Sequence, residues 1–258
     1  MKRVLPVSAL MVVVCCCAVS ALDGQNGELR SRLSKRYGNA EPKQWSEKLP
    51  GVTTKLSGGR KEIALTFDAC GSKNDGFDAK LIDFLVKEKV PATLFICGRW
   101  IDKYPDIFKE LAKNPLFEIE NHGLNHKPAS VSGRIAYKIN GTANVAELVD
   151  EIELNARKIE SITGRKPKYF RAGMAYYDEV AVQVVQSLGI IPAGFSVLGD
   201  AGATFTKAQV EKALLDARAG DIVICHMNHP GRGTAEGVIA AVPELRSRGY
   251  KFVTLENH

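Results

Sequence analysis

The sequence has no concentrated run of Lys or Arg, although its formal net charge is +6 across 258 residues. Segments that bind nucleic acids usually carry such runs, so no nucleic acid partner is expected. Internal repeats and low-complexity tracts are also absent, and no second domain can be distinguished. With 45% hydrophobic and 25% charged residues, the composition is that of an ordinary folded globular domain.

The amino end lacks an apolar run long enough for a membrane span, which needs about 20 residues. Instead, Met1-Lys2-Arg3 precedes an apolar stretch over 4–19 and a small-residue site before Ala21. This arrangement is typical of a secretory signal. We predict a cleaved signal peptide over residues 1–20 and an exported protein, periplasmic or secreted, in the cell envelope. Cys15, Cys16 and Cys17 leave a lipid-modified amino terminus as a second possibility.

Few cysteines remain once this signal is removed. They are Cys70, Cys97 and Cys225, an odd number for an exported protein. One pair could form a disulfide and leave the third thiol free or bound to metal, and the sequence does not choose among these states.

The segment 21–60 is polar and contains Gly, Pro and Ser. It has turn signals at Leu49-Pro50-Gly51 and Ser57-Gly58-Gly59, and residues 28–37 are compatible with a short helix. We interpret it as an N-terminal extension that packs on the following domain, 61–258, or links that domain to the envelope.

From Glu62 onward, short apolar runs alternate with amphipathic stretches. This alternation predicts an α/β domain with a parallel sheet, and about seven strand–helix units favour a barrel over an open sheet. Such a barrel presents its functional groups where strands end and loops begin. The predicted strands are 63–67, 92–97, 117–119, 168–171, 190–195, 221–225 and 250–255. The predicted helices are 78–89, 107–113, 144–162, 180–188, 207–217 and 235–247, the last bent or broken at Pro243.

Polar residues follow the predicted strands. His122 and His126 follow the third strand, and two imidazoles four residues apart can face one metal ion such as zinc, which binds nitrogen readily. The other strand ends carry Asp68, Arg171, Asp200 and His226. Two carboxylates, three His and one Arg at one barrel mouth are the groups that metal-assisted hydrolysis needs.

These motifs resemble, in the same order, those of the NodB-homology polysaccharide deacetylases, carbohydrate esterase family 4. The resemblance covers about 62–255. It implies a deformed (β/α)7-type barrel in a single domain, which removes N-acetyl or O-acetyl groups from polysaccharides with a divalent metal, often zinc. The motifs are Thr66-Phe67-Asp68, His122 with His126, Arg171, Asp200 and Ile224-Cys225-His226.

The resemblance also implies a role for each residue. Asp68 takes the position of the general base, and Arg171 orients it. His122 and His126 are metal ligands. His226 is the general acid that protonates the leaving amine, and Asp200 is the carboxylate that supports this His.

The first motif departs from the family at Ala69, which stands where the resemblance implies a metal-binding Asp. Three resolutions are open. Asp68 ligates the metal itself, Cys70 supplies a thiolate, which zinc accepts well, or two His and extra waters hold the ion weakly. The expected ligand set is Asp68, His122 and His126, with Asp68 also contributing to catalysis.

Several nearby residues have simpler interpretations. Asp78 is interpreted as a helix N-cap and Asp75 as a turn residue. Tyr176 and Tyr177 either stack on a sugar ring or pack at a helix start.

Three further residues are expected to serve structure first. Trp45 and Trp100 are interpreted as packing residues rather than sugar platforms. His229 is interpreted as a loop residue and a minor candidate for substrate contact.

We expect an exported, monomeric, metal-dependent hydrolase that removes N-acetyl groups from a glycan, with peptidoglycan amino sugars favoured over chitin or acetylated xylan. The rival from another class is a carbohydrate-binding pseudoenzyme, which Ala69 motivates. Deformylation or cyclic-amide hydrolysis is a third possibility, because the chemistry is the same.

Overall fold

The computed structural model describes residues 26–257, so the predicted signal peptide lies outside the described residues. The helices are α1 (26–37), α2 (Ala79–Lys87), α3 (Gly98–Lys103), α4 (Pro105–Lys113), α5 (Val145–Thr163), α6 (Glu179–Ser187), α7 (Lys207–Leu215) and α8 (Gly233–Ser247), with a 3-10 turn at Gly173–Ala175. The strands are β1 (Glu62–Ala69), β2 (Ala92–Ile96), β3 (Phe117–Asn121), β4 (Ile135–Ala136), β5 (Ile139–Asn140), β6 (Tyr169–Phe170), β7 (Ile191–Pro192), β8 (Val197–Leu198), β9 (Ile222–His226) and β10 (Lys251–Val253).

Eight strands form one parallel sheet in the order β7-β6-β3-β2-β1-β9-β8, and β10 also pairs with β1. The residues of β1 and β2 are almost all buried, which explains why their sequences are largely continuous apolar runs. β3 is buried as well, although its sequence alternates apolar residues with Glu118 and Glu120. The sheet curls with helices around it, which confirms the predicted α/β fold class, a single-domain barrel of the (β/α)7 type. All carboxyl ends of the strands therefore face one mouth.

The helices bury their apolar faces against this sheet. The larger core joins β1, β2, β3 and β9 to α2, α4, α7 and α8. A second core joins α5 and α6 to the residues before the barrel. No helix among residues 26–257 is both long enough and apolar enough to cross a bilayer.

The residues before β1 pack on the barrel. Leu33, Tyr37, Leu49 and Val52 are buried in the second core. The amide nitrogen of Thr53 donates to the carbonyl oxygen of Pro192, and Gly194 donates back to the carbonyl of Thr53. The segment 26–56 is therefore held along the β7 side of the barrel.

Two local predictions need correction, and α3, β8 and the β4–β5 hairpin were not predicted. The predicted strand over 190–195 shrinks to Ile191–Pro192, because the next residues pair with the N-terminal segment. Helix α8 runs unbroken through Pro243, so this residue does not end it. The β4–β5 hairpin was not predicted, since strands of two residues carry no periodic signal.

Candidate active site

The ion pair between Asp68 and Arg171 is the centre of the barrel mouth. Asp68 Oδ1 lies 2.7 Å from Arg171 Nη1, and both side chains are almost fully buried. Burial alone would raise the pKa of Asp68, but the Arg171 guanidinium and the neighbouring His residues hold it below its usual value. Asp68 is therefore an ionised carboxylate, as a general base requires.

Both terminal nitrogens of the Arg171 guanidinium are hydrogen-bonded. The guanidinium also donates to Thr66 Oγ1 at 2.9 Å and to the carbonyl oxygen of Gly194 at 2.9 Å. The same group stacks on the ring of Phe95 at 4.1 Å. These contacts hold the Arg171 guanidinium in place. It therefore orients the Asp68 carboxylate and also neutralises its charge.

His122 is oriented by the backbone of the same arginine. Its Nδ1 donates to the carbonyl oxygen of Arg171 at 2.8 Å, which leaves Nε2 as the nitrogen that a metal ion would bind. Nε2 lies 3.5 Å from Asp68 Oδ2 and 3.8 Å from Cys70 Sγ. A metal-binding nitrogen is thus directed at the space between the carboxylate and the thiol.

The loop that carries both His residues is shaped by α5. Glu151 Oε1 accepts from the amide nitrogens of Asn125 at 2.8 Å and Lys127 at 3.0 Å. Gly123 has a φ of +79°, and a Cβ there would meet Glu151 Oε1 at 2.4 Å. This tight turn brings the rings of His122 and His126 to 4.7 Å between centroids.

Cys70 Sγ and the ligand nitrogens of His122 and His126 all lie within 4.8 Å of one another. One thiolate and two imidazoles are a donor set that zinc accepts, with a further position for water or substrate. The residues present therefore fit a divalent metal of this kind. Asp68, the predicted third ligand, lies at the edge of this cluster, since its Oδ1 is engaged by Arg171.

The charge state of Cys70 agrees with this placement. Burial alone would raise the pKa of the thiol, but the neighbouring His126, His122 and His226 hold it well below its usual value of 9.0. Burial instead raises the pKa of Cys97 to about 12 and that of Cys225 well above 9.0. All three are free thiols, and Cys70 alone among them is suited to bind metal.

His226 and Asp200 form the second charged pair of the site. His226 Nδ1 lies 2.8 Å from Asp200 Oδ1, and the backbone nitrogen of His226 donates to Asp200 Oδ2 at 2.7 Å. Burial alone would lower the pKa of His226, but Asp200 and Cys70 hold it well above 6.5. Thr234 from α8 donates to Asp200 Oδ2 at 2.9 Å. His226 is therefore a protonated imidazolium whose ring also hydrogen-bonds the Cys70 thiol.

The six predicted site residues thus meet at one mouth, and Cys70 joins them. Sequence reasoning missed the residues that hold them, above all Glu151 and Thr234. Glu151 left one signal, since it is a charged residue on the apolar stripe of α5. Thr234 left none, because it lies 34 residues from its partner Asp200.

The structural interpretations of the nearby acidic and aromatic residues are mostly confirmed. Asp78 caps α2 by accepting from the backbone of Leu81, and Asp75 accepts from Ser72 in a turn. Trp100 is fully buried.

Tyr177 is also fully buried, and its hydroxyl binds the backbone of Phe170, Ala172 and Ala193, so it cannot contact a sugar. His229 is one-third exposed, with its ring 6.5 Å from that of His226.

Comparison with known proteins places this site in a family. The sequence profile of the polysaccharide deacetylases matches residues 55–193, more than half of the chain. A peptidoglycan N-acetylglucosamine deacetylase of Bacillus cereus is 26% identical over 208 residues, which are 79% of this chain and 91% of that protein.

Two solved structures show the same fold. A pseudoenzyme of carbohydrate esterase family 4 from Bacillus anthracis superposes with a TM-score of 0.67 at 19% identity, over 81% of this chain and 69% of that one. A family 4 acetyl xylan esterase from Clostridium thermocellum, solved with a cobalt ion, has a TM-score of 0.59 at 26% identity, over 75% and 88% of the two chains. The chain belongs to the polysaccharide deacetylase family, carbohydrate esterase family 4, as its motifs predict.

Proposed function

We propose that this protein is a metal-dependent hydrolase that removes N-acetyl groups from peptidoglycan amino sugars. The observation that carries the proposal is that Asp68, held by Arg171, and His226, held by Asp200, meet the Cys70–His122–His126 cluster at one barrel mouth. Peptidoglycan is favoured because the Bacillus cereus relative is named for that substrate. A carbohydrate binder without turnover would not need a base, an acid and the partners that hold both.

We propose Cys70, His122 and His126 as the ligands of a zinc ion, with Asp68 as the alternative third ligand in place of Cys70. When bound there, zinc supplies Lewis-acid polarisation of the acetyl carbonyl and of the attacking water. The thiolate replaces the carboxylate that is missing at Ala69. This assignment frees Asp68 for proton transfer.

In this proposal Asp68 Oδ2 accepts a proton from the water whose oxygen attacks the acetyl carbon. Arg171 keeps Oδ1 occupied and the carboxylate ionised until that step. The carbon–nitrogen bond then breaks, and His226 Nε2 gives its proton to the leaving nitrogen. Asp200 stabilises the imidazolium before this transfer, and the products are acetate and the free amine.

The proposal is tested by acetate release from purified peptidoglycan and from N-acetylglucosamine hexamers, with zinc added and then with chelator. We expect chelator-sensitive release, faster from peptidoglycan. Cys70→Ser should lower the zinc content while Asp68→Asn keeps it, and the reverse result would make Asp68 the ligand. A metal-loaded protein that binds both glycans but releases no acetate would establish the pseudoenzyme instead.

We further propose that the protein acts in the cell envelope as a monomer, with residues 1–20 removed and 21–60 serving as the extension of a catalytic domain, 61–258. Amino-terminal sequencing of the secreted or periplasmic form and its sedimentation velocity test these points. An amino terminus at Met1, or a stable dimer, would contradict them.

A further inference from the structure

Three aromatic side chains from separate segments meet on the surface beside the site. Trp45 comes from the N-terminal segment, Tyr137 from the tip of the β4–β5 hairpin and Tyr176 from the loop after β6. The ring centroid of Tyr176 lies 5.4 Å from that of Trp45 and 5.8 Å from that of Tyr137. We call these three residues the aromatic platform. Tyr137 is 66% exposed, whereas Trp45 and Tyr176 are half-buried.

The segments under the platform are tied together by polar contacts. Trp45 Nε1 donates to the carbonyl oxygen of Ile135 at 3.2 Å. Arg134 of the hairpin donates to the carbonyl oxygens of Gln44 and Pro42. The rings are therefore held in position before any ligand arrives, which lowers the entropic cost of binding.

The hairpin presents Tyr137 at a conformational cost. Ala136 pairs with Ile139, so Tyr137 and Lys138 form a two-residue turn, with φ values of +47° and +67°. Two-residue turns with positive φ at both positions favour Asn-Gly, and side chains with a Cβ are strained there. Strain of this kind persists at functional sites, and the core gains nothing from this exposed ring.

The platform is joined directly to the proposed active site. Tyr176 follows Arg171 by five residues, and its carbonyl oxygen accepts from Ala129, three residues beyond His126. Gly173 N donates to the carbonyl oxygen of Lys127 in the same loop. The backbone that carries the platform is therefore hydrogen-bonded to the loop that carries His126.

We propose that Trp45, Tyr137 and Tyr176 bind the pyranose rings of the glycan that flank the sugar being deacetylated. This inference rests on the proposed function. The carbon–hydrogen face of a pyranose is apolar, and aromatic rings with a polar edge suit a ligand that also keeps its hydroxyl groups in water. The platform would select long glycans over short ones, which the metal cluster alone cannot do.

The test compares an N-acetylglucosamine hexamer and soluble peptidoglycan strands with the dimer, by calorimetric Kd and by acetate release. Tyr137→Ala should raise Kd and KM for the long glycans about threefold to tenfold, the range for one aromatic contact. For the dimer, Kd and KM of Tyr137→Ala should equal those of the wild type. Tyr137→Phe keeps the ring and should bind as the wild type, and Ile191→Ala removes an exposed apolar side chain from another strand as a control.

Tyr137→Gly separates a binding role from a structural one. Glycine adopts a positive φ without strain, so the melting temperature of Tyr137→Gly should equal or exceed that of Tyr137→Ala. Both variants should bind the long glycans equally weakly. Normal acetate release with unchanged Kd and KM in both variants would overturn the platform and leave the proposed function standing. If both variants bind the hexamer or the strands more weakly, but no form of the protein releases acetate, the platform stands and the proposed function is overturned. No binding of either long glycan by the wild type would overturn the platform.

Discussion

Two buried clusters of ionisable side chains lie inside the same barrel and differ in how far their carboxyl groups are ionised. At the mouth, each carboxylate has a cationic partner, Asp68 with Arg171 and Asp200 with His226. On β3 and after β10, Glu118, Glu120 and Glu256 each have a carboxylate oxygen within 4.8 Å of those of the other two. Burial is nearly complete for Asp68 and for Glu120 alike.

The second cluster does not carry its full charge. Burial and the neighbouring Glu118 raise the pKa of Glu120 to about 9, and burial also raises the pKa of Glu118. Burial would raise the pKa of Glu256 as well, but Lys168 and Arg165 at its exposed side hold it below its usual value. Glu120 is thus a neutral acid that accepts from the backbone of Tyr169. A cationic partner, and not the extent of burial, decides whether a buried carboxyl group in this protein is ionised.

The largest effect is expected for Asp68→Asn. The amide can still accept from Arg171, but it cannot take a proton from water, so kcat should fall about 10²–10⁴-fold. Steady-state acetate release checks this, with zinc content measured on the same samples. An unchanged kcat would remove Asp68 from the mechanism.

Arg171→Met should destabilise the fold by about 3–5 kcal/mol, because it leaves Asp68 buried without its cation. Urea unfolding measures the loss. Adding Asp68→Asn to Arg171→Met should recover part of the stability, since the orphaned charge is then gone. A double variant no more stable than Arg171→Met would mean that the packing on Phe95, rather than charge, explains the loss.

Asp200→Asn should lower kcat roughly 10–100-fold, as outer-shell partners often do. In the proposed mechanism the acid form of His226 is active, and its raised pKa keeps it protonated to higher pH. Losing the carboxylate lowers that pKa, so the alkaline limb of the pH profile should move to lower pH. Thr234→Val, which removes one hydrogen bond from Asp200, should move it less. An unmoved limb would show that another group donates the proton.

The smallest effect is expected for Glu120→Gln, in the other cluster. The folded protein keeps the Glu120 proton up to about pH 9, whereas the unfolded chain releases it near 4.5. The free energy of unfolding should therefore fall as pH rises between these values. Glu120→Gln should remove this slope and raise the free energy of unfolding at pH 8 above that of the wild type. The matched control is Glu110→Gln, at an exposed glutamate. If the free energy of unfolding depends equally on pH in both variants, the raised pKa of Glu120 is contradicted.

The sequence was sufficient for the long strands and for the residues at their ends. β1, β2 and β9 are buried on both faces, so each appears as an unbroken apolar run, and the polar residue that follows marks the mouth. The joint order of Asp68, the His pair, Arg171 and His226 then identified the chemistry.

The remaining details depend on three-dimensional contacts. Whether Cys70 or Asp68 faces the two His residues depends on a turn after β1 and on the side chain of Arg171, neither of which leaves a periodic pattern. The grouping of Trp45 with Tyr137 and Tyr176, which lie 92 and 131 residues away, could not be predicted from the sequence. Distant partners of this kind are invisible to local sequence patterns.

The site is assembled from residues far apart in the chain. Thr66 Oγ1 donates to the carbonyl oxygen of Val223, 157 residues later, and Arg171 is 103 residues from Asp68. If the protein is exported unfolded, as we propose, it carries no formed metal site across the membrane. The ions available where it folds, and not those where it is synthesised, would then decide which metal the proposed site binds.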